Sequence, residues 1–195
     1  MAAEAVVKYL RSPRLAESVQ MQMIVQSAPV LKNVKMSCMF TVPSGCSGVV
    51  CSFLYKTDVR LHCLCRGSNR EFVLLYREKW LAEWLRQEEV SDFLSQYGYK
   101  PGSLKQQLQH LGGRIAYYYN QSQDFPHEMG VFFGYPLEDV RGFIRHQGKN
   151  SSCIGYWKVY SDVERAKRMF RAYDEAKNCA LEEFFSGKNI REIAC

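Results

Sequence analysis

Three short stretches of this 195-residue chain hold side chains able to do chemistry. The first is FPHEMGVFFGYPLEDVRG at 125–142, where His127 and Glu128 are adjacent. An imidazole titrates near neutrality and a carboxylate can give or take a proton. The pair could therefore serve as acid and base, or as two metal ligands. Neighbouring residues on an extended chain point to opposite sides, which works against both acting on one atom. The stretch is not HExxH, because residue 131 is Val. The plainer alternative for His127 is a hydrogen bond to backbone at a turn.

The second stretch is GKNSSCIGYWKVYSD at 148–162. Lys149 and Asn150 belong to a polar loop, Cys153 follows, and Tyr156, Trp157 and Lys158 come next. A thiol beside Lys149 would be held partly as thiolate and would act as a nucleophile or redox group; otherwise Cys153 is a packed small residue. Read as a strand over 154–160, Tyr156 and Lys158 share one face, and Trp157 and Val159 the other. The third stretch is His62-Cys63-Leu64-Cys65. A zinc site needs two further ligands, and the other cysteines, at 38, 46, 51, 153, 179 and 195, include no matching pair. Cys63 and Cys65 are therefore read as core residues sharing the face of Val59 and Leu61, no metal site is expected, and no cofactor is indicated. GxGxxG, GxxxxGK[ST] and GxSxG are all missing from the chain, so dinucleotide, P-loop and nucleophile-elbow chemistry lack support.

The elements that must carry these residues follow from periodicity. Helical patterns span 3–10 and 14–26, the second ended by Pro29. A strand covers 36–42, and 46–56 is open between helix and strand. The clearest signal is a hairpin, 58–66 and 70–76 around Gly67-Ser68-Asn69. Next come helical faces at Trp80, Leu81, Trp84 and Leu85, and at Val90, Phe93, Leu94 and Tyr97. A longer helix is capped by Ser103 and interrupted by Gly112-Gly113. Within the opening stretch, 129–133 reads as a buried strand. Gly134-Tyr135-Pro136 is a turn, and Glu138 and Asp139 suit the first turn of a helix whose dipole favours acid there. A last helix begins near Asp162 and ends at Gly187, and the tail 189–195 is a short strand or a docked coil. The sum is an α+β fold, one domain over 1–195, with an antiparallel or mixed sheet of about four or five strands covered by helices.

Composition narrows the class. Hydrophobic residues make up 47%, enough for a core of ordinary size. The net charge is +6, and between 141 and 177 nine Lys and Arg face four Asp and Glu. That bias suits an anionic ligand or acidic partner, or only a solvated helix face. With no contiguous RNA-binding signature, nucleic acid ranks third. The N-terminus lacks the pattern of a secretory signal, and the longest apolar run, around 21–31, is broken by Gln22 and Gln26. A cytoplasmic protein without a membrane span is expected, its thiols mostly free.

The runs FPHEMGVFFGYPLEDVRGFI, GKNSSCIGYWKVYSD and AKRMFRAYDEAK together resemble a bacterial family known as domain of unknown function three-seven-nine-three, found mainly in anaerobic Gram-positive bacteria. Upstream, SAPVLKNVKMSCMF resembles that family's Cys-Ala-Pro-Thr-Leu segment and FLSQYGY its middle helix, so the likeness covers nearly the whole chain, least well over 44–70. This chain departs at Gln26-Ser27, where the family often has His-Cys, which weighs against a reaction using that pair. The resemblance implies no activity, only an association with flavodoxin-like and metal-related genes and hence an expected link to redox or iron metabolism. Two expectations follow. One is a non-catalytic binding or accessory protein for an anionic ligand, or for an acidic carrier such as a flavodoxin-like protein. Its site would lie where the His127 loop and the 149–158 segment share one edge of the sheet. The alternative is an enzyme using His127 and Glu128 as acid and base or ligands, with Cys153 as reactive thiol.

Overall fold

The computed structural model describes residues 2–121 and 125–194. Among them the order is α1 (Ala2–Leu10), α2 (Leu15–Leu31), β1 (Ser37–Pro43), α3 (Ser47–Phe53), β2 (Val59–Arg66), β3 (Arg70–Arg77), α4 (Glu78–Leu85), α5 (Glu88–Ser95), α6 (Leu104–Gln121), α7 (Met129–Phe132), α8 (Leu137–Arg145), β4 (Cys153–Ile154), β5 (Lys158–Val159), α9 (Val163–Phe185) and α10 (Ile190–Ile193). The class is α+β, as the mixed periodicity predicts. The sheet is smaller than expected: three antiparallel strands in the order β1-β3-β2, with β4 and β5 forming a separate two-stranded ribbon. The chain divides into two units, Met1–Arg77 with Tyr173–Cys195, and Glu78–Ala172.

In the first unit the predicted hairpin forms β2 and β3, and β1 pairs on the other side of β3. Cys38, Phe40 and Val42 of β1 lie on one face with Val73 and Leu75 of β3 and with Val59 and Leu61 of β2, and they pack into the core with α2, α3 and α10. One detail of the β2 reading changes. A bulge lies between Cys63 and Cys65, so Cys63 stands opposite Val73 while Cys65 stands opposite Phe72. Since faces alternate along β3, the two cysteines are on opposite faces and not both in the core.

Pro29 does not end its helix. It lies within α2, which runs two residues further, and its carbonyl accepts from the Val34 and Lys35 N–H groups at 2.8 and 2.9 Å. A proline near a helix end removes only one ladder hydrogen bond, and the buried Ala28, Val30 and Leu31 hold the last turn in the core. Residues 46–56 resolve as the helix α3. The tail is neither strand nor coil but α10, started by a capping box in which Asn189 accepts from Glu192 N and Glu192 Oε2 accepts from Asn189 N at 2.8 Å.

In the second unit α4 buries Leu81 and Leu85, and α5 buries Val90, Phe93 and Leu94, as their periodicity predicts, but Trp80, expected on the apolar face of α4, is exposed. Ser103 caps α6 in a reciprocal pair: Ser103 Oγ accepts from Gln106 N, and Gln106 Oε1 accepts from Ser103 N at 3.1 Å. Gly112 is buried, but Gly113 faces open space, so close packing accounts for the first glycine alone.

Two strand expectations are overturned here. The apolar run 129–133 is the helix α7, packed against α4 and α8 and buried on every side. A buried strand and a buried helical turn look alike in so short a run. With no strand alongside, the backbone is satisfied locally, by Met129 N to Pro126 O and Val131 N to Glu128 O, both 3.0 Å. The strand predicted over 154–160 is instead the β4–β5 hairpin, closed by Gly155 N to Trp157 O at 3.0 Å. A Cβ on Gly155 would run into the Phe170 ring, so a larger residue there would have to displace that ring.

Candidate functional site

The eight residues singled out from the sequence all fall in the second unit, and the fold sorts them into buried ties and an exposed surface. His127 and Glu128 part company. Pro126 and the turn before α7 send the Glu128 side chain inward, where it is fully buried. Arg114 of α6 holds it through both Nε and Nη2, and the Tyr99 hydroxyl donates to Oε1 at 3.3 Å. Burial, and then the Glu128 charge, push the Tyr99 phenol well above its usual range. Burial alone would lower the Arg114 guanidinium, but hydrogen bonding and attraction to Glu128 outweigh it and raise the pKa. Glu128 is thus committed to pinning the α7 turn onto α6.

His127 points the other way and is exposed. Its ring centroid lies 5.0 Å from that of Phe125 and 5.1 Å from that of Phe143 on α8. Lys158 of β5 places its Nζ over the same Phe143 ring, 5.8 Å from the centroid, and donates to the Gly148 carbonyl at 2.7 Å. Phe143 of α8 therefore lies beside both His127 and Lys158, so the two segments approach one another through a helix residue and not along a sheet edge. Lys149 is exposed and directly follows Gly148, and Asn150 takes the left-handed conformation (φ 57°) that asparagine tolerates.

The 153–158 segment divides as well. Trp157 is buried: Tyr135 stacks on its indole at 5.1 Å, Phe170 meets it edge-on at 4.6 Å, and Nε1 donates to Asp139 Oδ2 at 2.7 Å. It is core, not a ligand-facing aromatic. Tyr156 is exposed, near Phe170 at 5.7 Å. Cys153 stands opposite the fully buried Val159, whereas Lys158 stands opposite the exposed Ile154. Cys153 and Lys158 therefore lie on opposite faces of the ribbon.

Asp139, read from sequence as helix-start acid beside Glu138, has a larger part. Glu138 is exposed, as that reading requires, but Asp139 is buried and organises the whole turn. Besides the Trp157 indole, it accepts from Tyr160 N at 2.7 Å and from Ser161 N and Oγ at 2.8 Å each. Its helical position is one turn from Gly142, where the Tyr160 side chain crowds so closely that a Cβ would lie 2.5 Å from Tyr160 Cβ. That small residue at i+3 was the available clue that this face of α8 is covered. Arg114, Tyr99 and Phe143 carried no such signal, because their partners are distant in sequence.

Charge completes the picture. Lys167 pairs with Glu164 at 3.0 Å, but Arg145, Lys149, Arg165, Arg168 and Arg171 have no ion-pair partner among the described residues. No group of three or more His, Cys, Asp or Glu side chains is arranged to hold a metal ion among the described residues. No described helix is long and apolar enough to cross a membrane. Of the seven described cysteines, Cys38 and Cys46 are buried while Cys51 and Cys179 are exposed, and Cys195 lies outside the described residues. Burial raises the Cys38 thiol to about 12, which suits a core residue and not a nucleophile.

The fold is thus α+β, a small antiparallel sheet unit and a helical unit whose inward carboxylates are spent on structure. The chain belongs to the DUF3793 family of proteins of unknown function, whose family model matches residues 23–194. No curated protein and no solved structure matches it.

Proposed function

We propose that the chain is a non-catalytic binding protein for an anionic partner, which docks where His127, Phe143, Lys149 and Lys158 come together. The observation that carries this reading is the outward His127–Phe143–Lys158 contact beside exposed Lys149. Glu128 beside His127 and Asp139 on the helix that carries Phe143 are both turned inward, engaged by Arg114 and by Trp157. Neither Lys149 nor Lys158 has an ion-pair partner among the described residues, and a surplus of cations attracts anions. His127 and Glu128 face apart and so share no reacting atom, which leaves the acid–base alternative without geometric support.

Retention on immobilised heparin, read as the salt needed for elution, tests the proposal. The expected result is retention at about 50 mM salt and clearly earlier elution for Lys149→Ala/Lys158→Ala. Failure of the native protein to bind at that salt, or unchanged elution of the variant, removes it.

A further inference from the structure

The His127–Phe143 contact is one link in a longer row of rings. Tyr119 and Tyr118 at the end of α6 lie 5.4 Å apart between centroids, Tyr118 and Phe125 5.0 Å, Phe125 and His127 5.0 Å, and His127 and Phe143 5.1 Å. Lys158 Nζ over Phe143 closes the row, and exposed Lys149 follows Gly148, whose carbonyl Lys158 holds. Successive rings are tilted by 51–86°, so none is sandwiched face to face against its neighbour in the row. Tyr119 is 56% exposed and Phe125 41%. Exposed Tyr119 and Phe125, linked through half-buried Tyr118 and onward to half-buried Phe143, form an aromatic patch of the kind that marks a binding surface.

We infer that this row is a stacking platform for single-stranded nucleic acid, with Lys149 and Lys158 meeting the phosphates. The inference rests on the anionic-partner reading and names its chemistry. Bases carry flat π faces that stack on aromatic side chains without regard to sequence, and backbone phosphates require cations nearby; the row supplies both. An acidic protein segment would use the lysines but has no need of four or five linked rings. The length selects an oligomer over a mononucleotide, because one base covers at most a step or two of the row. Duplex DNA hides its base faces and should not use the rings.

Fluorescence anisotropy with labelled oligo(dT) and oligo(rU) strands of roughly ten nucleotides, and with a duplex of equal length, tests this. The expected result is salt-sensitive binding of one or both single strands over the duplex. Tyr119→Ala or Phe125→Ala should weaken it roughly ten-fold or more at unchanged melting temperature, since both rings are at the surface. Lys149→Ala should weaken all sequences alike and flatten the salt dependence. Equal binding to single strand, duplex and heparin, unaffected by removing the rings but lost with the lysines, overturns the stacking platform and leaves the anionic-partner reading standing. Loss of neither set, or no binding to any polyanion, overturns both.

Discussion

At the scale of single residues, the informative groups are two buried carboxylates: Glu128, which looks functional in the sequence and is structural in the fold, and Asp139, which reads only as helix-start acid and anchors a turn. Glu128 stands in a His-Glu pair, the residue types of acid–base chemistry, yet it is paired to Arg114 and accepts from Tyr99. Breaking a buried ion pair strands the remaining charge, at about 3–5 kcal/mol when both partners are fully buried. Arg114 is about a third exposed, so water recovers part of that. Glu128→Gln should therefore cost about 2–3 kcal/mol in urea denaturation, and unchanged stability would mean the pair ties nothing down. Asp139→Ala takes the acceptor from four donors at once. Some of these can turn to water, so about 3 kcal/mol is expected. A red shift of tryptophan emission should accompany it as Trp157 loosens. Native-like emission in a folded variant would show that Asp139 does not seat the indole. Both carboxylates were visible in the sequence, but their partners, 14 and 29 residues away for Glu128 and 18–22 for Asp139, were not.

At the scale of elements, the patterns that proved right are those with a long period or a strong local code. The hairpin, α4, α5 and the Ser103 cap each rest on several residues repeating one message. The failures are short. Four buried apolar residues at 129–132 have no period to read, and the apparent strand at 154–160 turns at Gly155, where the Phe170 ring leaves no room for a side chain. Gly142 tests the same competition inside α8. Replacing it with Ala gains about 1 kcal/mol of helix propensity, but the added Cβ would meet Tyr160 Cβ and Cγ at 2.5 and 2.6 Å. Tyr160 has little room to yield, because Asp139 holds its N–H and His146 stacks on its ring at 5.6 Å. Overpacking costs about 1–3 kcal/mol, so the clash wins and Gly142→Ala should lower the urea midpoint. A raised midpoint would show that the ribbon moves aside freely.

At the scale of the molecule, charge is distributed by role. In the first unit, Glu183 near the end of α9 accepts from Lys32, just past the end of α2, and from Lys188, each at 3.0 Å. The Lys32 hydrogen bond, against an opposing effect of burial, and then Lys188 hold the Glu183 carboxyl below its ordinary value of 4.5. A carboxylate lowered in the folded state contributes stability that is present above its unfolded pKa and is lost as pH falls through the folded one. The melting temperature should therefore hold from neutrality to about pH 5, then decline, and Glu183→Gln should show a shallower decline. Parallel curves for the two proteins would remove Glu183 from the acid response. In the second unit Arg145, Lys149, Arg165, Arg168 and Arg171 are exposed and have no ion-pair partner among the described residues. The sequence ranked nucleic acid low because its cations and rings form no contiguous motif, yet α6, the 125–127 turn, α8 and β5 together bring rings and lysines into one row. By itself the sequence determined the class, the hairpin, the long helices and the basic bias, because these depend on local periodicity and composition. Only the tertiary structure decided that Glu128 turns inward while His127 turns out, that Asp139 anchors the ribbon, and that Phe143 links His127 to Lys158. Each of those outcomes depends on which distant side chain occupies the other half of a contact, and that is set by packing rather than by neighbours along the chain.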